Sequence, residues 1–196
     1  MLAFLDLETT GLSTEHDDVL EIACLITNDH LTEVARYHAV VMACREFYVL
    51  PEVVRDMHAK SGLWDEANGL NAKPLLQVDI ELAAFLREHA VKIDRSDDGC
   101  THLVRPQLVG NGIHFDRAIM RRCLRKAEAE LHYRQLDLTS VGEILRRFWP
   151  ALHAGRPRPV EIAHRAMPDV EESLSVARHY ALHFQGVAGD LKLGAP

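Results

Sequence analysis

LAFLDLETTGL, residues 2–12, starts as a short apolar strand and runs straight into two acids, Asp6 and Glu8. Side chains two apart on a strand point to the same face, so the two carboxylates stand together. Held that close they repel, and one takes up a proton unless a cation lies between them. Acids leaving a buried strand directly before Thr9-Thr10-Gly11 therefore point to a hard metal ion more readily than to salt bridges.

The neighbouring sequence supplies partners for this strand. Residues 18–27 (DVLEIACLIT) are apolar and β-branched, Asn28-Asp29-His30 makes a turn, and 31–42 (LTEVARYHAVVM) returns with partial alternation. A hairpin in this place makes the first three strands antiparallel neighbours. Shorter helical or irregular pieces, opened by Pro51, are expected over 51–66. A helix is expected over 75–91, where Leu75, Val78, Leu82, Phe85, Leu86 and His89 recur at helical spacing. The polar run 94–102 (DRSDDGCTH) predicts a loop.

Next come a strand at 107–110, a helix over 114–130 and a short strand at 136–138. A helix over 140–148 and a loop over 153–162, with Gly155, Pro157 and Pro159, follow. The final helix is expected over 168–184, with Pro168 in its first turn and Val170, Leu174, Ala177, Ala181 and Phe184 as its buried stripe. The fold class is thus α/β, a mixed sheet flanked by helices. One domain spans 1–185, and 186–196 is expected to be a flexible tail.

The chain has 196 residues, enough for one well-buried domain, and 47% are hydrophobic, as in soluble globular proteins. No run approaches the roughly 18 apolar residues of a membrane span, and the N-terminus lacks the basic leader of a signal peptide. Cys24, Cys44, Cys100 and Cys123 form no CxxC pair. Reduced thiols in a cytoplasmic protein are expected. A net charge of −7 argues against a broad grip on long nucleic acid, but not against a metal-bearing site that handles short substrates.

Asp116 lies early in the helix after 107–111, and Asp169 in the first turn of the last helix. Either could simply be an acid favoured by a helix N-terminus. His164 precedes Asp169 by five residues and alone is unremarkable among twelve histidines.

The three strings DLETTGL (6–12), GNGIHFDR (110–117) and HRAMPD (164–169) together resemble, in order and spacing, the three motifs of the DEDDh exonuclease superfamily. LPEVVRDMHAKSGL (50–63), HYRQLDLTSVGEILRRFWP (132–150) and HRAMPDVEES (164–173) make the chain most similar to the oligoribonucleases within it. The resemblance implies a ribonuclease-H-like fold and two-metal hydrolysis with Mg²⁺ or Mn²⁺. It assigns metal binding to Asp6, Glu8, Asp116 and Asp169 and the general base to His164. Leu12 matches a leucine that wedges between substrate bases, and His58 a residue near the terminal base. Arg134, Thr139 and Ser140 match positions that cap the substrate 5′-phosphate. Tyr133 matches a tyrosine that reaches the other subunit's site in a homodimer.

The implied activity is 3′→5′ degradation of short single-stranded RNA, down to dinucleotides, to nucleoside 5′-monophosphates. Three positions depart from the oligoribonuclease pattern. Thr9 stands where methionine is common, Gly112 where a serine joins the phosphate cap, and Val53 where many members carry tryptophan. These bear on substrate length rather than chemistry, and leave open a broader exonuclease on DNA or longer RNA. An inactive nucleotide-binding module is a third alternative, against which the retention of all five chemical residues speaks.

Other features have plainer explanations. His179 and His183 lack a third ligand. Arg117, Arg121, Arg122, Arg125 and Lys126 suit a solvated helix face balanced by Glu128 and Glu130. Trp64 and Trp149 suit core or interface, and Ser61-Gly62 is too short for a nucleotide-phosphate loop.

Overall fold

The structure is a computed structural model that describes residues 1–94, 101–158 and 164–190. Three strands open the chain: β1 (Leu2–Thr9), β2 (Val19–Thr27) and β3 (Glu33–Val40). β2 pairs antiparallel with both neighbours, as the hairpin pattern implies. Two later strands, β6 (Gln107–Gly110) and β7 (Gln135–Asp137), add in parallel on the other side of β1, giving the order β3-β2-β1-β6-β7. A separate two-stranded hairpin, β4 (Val91–Asp94) with β5 (Thr101–Val104), brackets residues 95–100, which lie outside the described residues.

The helices are α1 (Glu52–Ser61), α2 (Leu63–Ala67), α3 (Leu75–Glu88), α4 (His114–Cys123), α5 (Arg125–Ala129), α6 (Leu138–Phe148), α7 (Pro150–Ala154) and α8 (Ala166–Asp190). β2 is buried along its whole length because both faces of the sheet are covered. On one face Ala3, Leu5, Leu7, Ile22 and Cys24 pack with Val78, Leu82 and Leu86 of α3 and Ile119 and Met120 of α4. On the other, Phe4, Ala23 and Leu25 pack with Val170 and Leu174 of α8 and Leu138 of α6. The alternation places Asp6 and Glu8 on the second face, the one that α8 covers.

Several expected boundaries moved for physical reasons. The expected helix 75–91 stops at Glu88, and Val91–Asp94 is a strand rather than a last turn. Thr101–Val104, whose first two residues fall in the expected loop 94–102, pair with it. The expected helix 114–130 breaks at Leu124, whose φ of −119° and ψ of 50° leave the helical region. A second helix restarts there because Asp79 of α3 accepts from the backbone N–H of Lys126 and Ala127 at 3.2 and 2.9 Å. Within the expected loop 153–162, α7 reaches Ala154, and 159–162 fall outside the described residues. The last helix runs from Ala166 to Asp190, longer at both ends than its apolar stripe. Among the described residues, no helix is long and apolar enough to cross a membrane.

Candidate active site

β1 outruns its parallel neighbour. Pairing with β6 ends at Phe4↔Val109, so the last residues of β1 project past the end of that strand. The N–H of Leu7, freed by this overhang, is taken by Asp116 Oδ1 at 3.1 Å. That bond draws the first turn of α4 against the strand that carries Asp6 and Glu8. Gly110 permits the close approach: a Cβ there would lie 2.9 Å from the carbonyl oxygen of Leu5 and 2.8 Å from Ile113 Cδ1.

From the opposite side, α8 delivers Asp169. Carboxylate oxygens of Asp6, Glu8 and Asp169 all lie within 4.8 Å of one another. Asp116 is 5% exposed and outside that trio, yet close enough that its charge raises the pKa of Asp6. Burial, and then the neighbouring acids, hold Asp6 far above the ordinary carboxylate range. Glu8 is pushed up to about 8 by burial and then by Asp169. Asp116 is raised to about 7 by burial, and Asp169 is raised by burial and by Glu172. Four carboxylates driven toward protonation at one place lack a positive charge. An all-oxygen donor set of this kind fits a hard divalent cation.

His164 is half-buried and adopts φ 47°, the left-handed region that non-glycine residues enter only at a cost. Asp169 and His58 both lie within electrostatic reach of its imidazole.

The five residues of the three motifs therefore converge from β1, α4 and the start of α8. The others lie around them to different degrees. Leu12 projects from the end of β1 and is 88% exposed. Asp17 shapes its turn, accepting from Ser13 N at 2.8 Å and Thr10 Oγ1 at 3.0 Å, and leaves no room for a Cβ at Gly11. Thr139 and Ser140 form the exposed first turn of α6. Their N–H groups are capped by Asp137 Oδ1 at 2.9 and 3.4 Å, and the same oxygen accepts from Gly112 N at 3.1 Å. Tyr133 is 71% exposed beneath the guanidinium of Arg134, which lies 5.2 Å from its ring centre.

His58, matched by resemblance to a residue near the terminal base, is set back from solvent. It is fully buried, its Nε2 bonded to the carbonyl of Thr9 at 2.8 Å, with Nδ1 unpartnered among the described residues. Burial holds its pKa low.

The basic run is not a purely solvated face. Arg117 is buried and donates to the carbonyls of His132 and Tyr133 at 2.9 and 3.0 Å. Arg122 donates to the Thr14 carbonyl at 2.8 Å and to that of Asp17, bracing the turn below Leu12. His183 Nδ1 bonds the His179 carbonyl at 2.9 Å. Trp64 packs on Phe47 beside Leu20 and Leu63, whereas Trp149 is 54% exposed. Two separate sets of ion pairs, Arg165 with Glu21 and Glu66 and Arg45 with Asp17 and Asp18, had no signature in spacing: each is an ordinary charged residue until the fold brings it to its partner.

Comparison with known proteins agrees with this geometry. The exonuclease (RNase T) family matches residues 3–177. An oligoribonuclease of Streptomyces griseus is 32% identical over 181 residues, covering 91% of this chain and 84% of that protein. One from Mycobacterium tuberculosis is 33% identical, covering 91% and 79%. Among solved structures, Escherichia coli exonuclease I in its zinc-bound complex with single-stranded DNA aligns with a TM-score of 0.66 at 14% identity, over 93% of this chain. An exonuclease I from Methylocaldum szegediense aligns equally well at 18% identity, over 92% of this chain. The chain spans about 40% of the length of each of these structures, and the likeness establishes the shared fold.

Proposed function

Because the chain belongs to the exonuclease family, and within it to the oligoribonucleases, we propose that it removes nucleotides from the 3′ end of short RNA by metal-dependent hydrolysis. It is an oligoribonuclease-like 3′→5′ exoribonuclease with nucleoside 5′-monophosphates as products. The observation that carries the reading is the meeting of Asp6, Glu8 and Asp169 within 4.8 Å, with Asp116 hydrogen-bonded to the same strand.

Asp6, Glu8, Asp116 and Asp169 would hold two divalent cations, Mg²⁺ or Mn²⁺. Bound there, the cations supply Lewis-acid polarisation of the scissile phosphate and lower the pKa of water. The residues of the chain do the rest. His164 accepts the proton of the attacking water. Leu12, held outward by the Asp17 turn, supplies an apolar edge against the bases. With the first N–H groups of α6 taken by Asp137, the hydroxyls of Thr139 and Ser140 and the guanidinium of Arg134 offer donors to the 5′-phosphate. His58, buried under Thr9, sets the floor for the terminal base rather than touching solvent.

One feature favours a wider length range than a strict dinucleotide diet. Gly112, at φ 60°, leaves no atom within 4 Å of where a Cβ would stand. A serine at this position would be strained, so one contribution to the phosphate cap is replaced by open space.

The exposed Tyr133, Leu136, Ile144, Phe148 and Trp149 around β7 and α6 favour a homodimer, with Tyr133 entering the partner's site. Cys24, Cys44 and Cys123 are free thiols, in keeping with a cytoplasmic location.

The test is hydrolysis of 5′-labelled RNA and DNA of two to about ten nucleotides with Mg²⁺ or Mn²⁺. Stepwise loss from the 3′ end of RNA, fastest on the shortest chains, is the expected result. Equal rates on all lengths would remove the preference for short RNA, and faster cleavage of DNA would replace the substrate class.

A further inference from the structure

Glu21 lies directly across from Glu8 in the register of β1 and β2, on the face that carries the acid cluster, and its side chain is 1% exposed. A fifth carboxylate in this place has the look of another ligand, but its oxygens are already occupied. Oε1 accepts from His38 Nε2 at 2.6 Å and from Arg165 Nη2 at 2.9 Å. Oε2 accepts from the backbone N–H of Ala166 at 2.9 Å and from Arg165 Nε at 3.2 Å. A carboxylate offers about four lone-pair directions, and these contacts fill them.

Arg165 carries a second fork. It donates to Glu66 Oε1 and Oε2 of α2 at 2.9 and 2.7 Å, and reaches the carbonyl of Ser61, the last residue of α1, at 3.4 Å. One guanidinium thus joins the central sheet, both helices beside His58, and the segment between His164 and Asp169. Ala166 N is one of the N–H groups that a helix leaves unpaired at its start, so its bond to Glu21 fixes where α8 begins. Asp169 sits in that first turn, and the left-handed His164 immediately precedes the clamp.

We propose that Glu21 and Arg165 are positioning residues. Their ion pair pins the turn at His164 and the start of α8, so that His164 and Asp169 meet Asp6 and Glu8 in a single geometry. Neither touches substrate, and their role presupposes the hydrolytic site proposed for these acids.

Arg165→Lys keeps the charge and loses both forks, and Glu21→Gln keeps the shape and loses the charge. Misplacing reacting groups by about an ångström costs roughly a hundredfold in rate. With Mn²⁺ and a diribonucleotide, kcat should fall by roughly that factor in each variant while KM changes little. Arg165→Ala should recover part of its kcat when guanidinium ion is added at millimolar concentration. That rescue reports on geometry at the site, not on bulk stability.

Arg165→Ala strips buried Glu21 of its guanidinium and leaves it only His38 and the Ala166 N–H, which favours unfolding; if it does not fold, Arg165→Lys and Glu21→Gln decide. Wild-type kcat in both would overturn the proposal. So would a loss that merely follows the folded fraction seen by circular dichroism. Asp116→Ala, run alongside, separates the two levels. If Asp116→Ala stays active, the site itself is wrong. If it is inactive while Arg165→Lys is normal, only the positioning role fails.

Discussion

Glu8 holds the electrostatic tension of the site in one side chain. Its pKa stands at about 8 in the fold against 4.5 for an ordinary glutamate, through burial first and Asp169 second. Below about pH 4.5 both folded and unfolded chains are protonated here and nothing is lost. As pH rises toward 8, the unfolded chain ionises freely while the folded chain resists, so stability falls across that window. A divalent cation at the cluster reverses this cost. The rise in Tm on adding Mn²⁺ should therefore be larger at pH 8 than at pH 5, and Glu8→Gln should raise the metal-free Tm at pH 8. An equal increment at both pH values would speak against a cation among these acids. At the same scale, His164→Ala should lower kcat with little change in Tm. A wild-type kcat in His164→Ala would remove it as the base.

The acid pair was legible in the sequence because strand periodicity alone fixes the face on which both side chains stand. Asp116, His164 and Asp169 were legible only through the ordered motifs, since nothing local distinguishes them from helix-start acids or a surface histidine. The burial of His58 was not legible. It depends on the chain returning to the carbonyl of Thr9, a contact between residues 49 apart.

At the scale of elements, the strands and the long helices followed from periodicity, while the breaks depended on contacts from elsewhere in the chain. Leu124 interrupts an apolar stripe that continues in register on both sides, so spacing alone gives one helix. The interruption is fixed by Asp79, 5% exposed, capping α5 from α3. Asp79→Ala should cost about 1 kcal/mol, as lost helix caps do. For a chain of this length that is a fall in Tm of roughly 2–4 °C, measurable by thermal melting. Its effect on kcat should be small, because α5 lies away from the acids. A large drop in kcat without a drop in Tm would mean that α5 positions the site. The hairpin of β4 and β5 escaped a composition-based reading for another reason: the polar run between its strands dominates the window, and among the described residues the short strands pair with each other alone.

For the whole molecule, the sheet order explains why the site is where it is. β1 is central, overhangs β6, and presents its acids to the two helices that approach its end. The outer strand β7 leads into α6, and the exposed side chains of Tyr133, Ile144, Phe148 and Trp149 lie along this edge. Sedimentation should give a dimer, and Phe148→Glu should shift it toward monomer. Tyr133→Ala should lower kcat/KM roughly tenfold or more, the scale of one lost base-stacking contact. A monomeric wild type at full activity would exclude action of Tyr133 in trans.

The central claim is that Asp116 and the β1 acids form one metal-holding hydrolytic site. Its most direct test is the initial rate of cleavage of a 5′-labelled diribonucleotide by wild type and Asp116→Ala over a Mn²⁺ titration. The wild type should release mononucleotide in a saturable, metal-dependent way, and the variant none at any Mn²⁺ concentration. Cleavage by Asp116→Ala at a wild-type rate would contradict it.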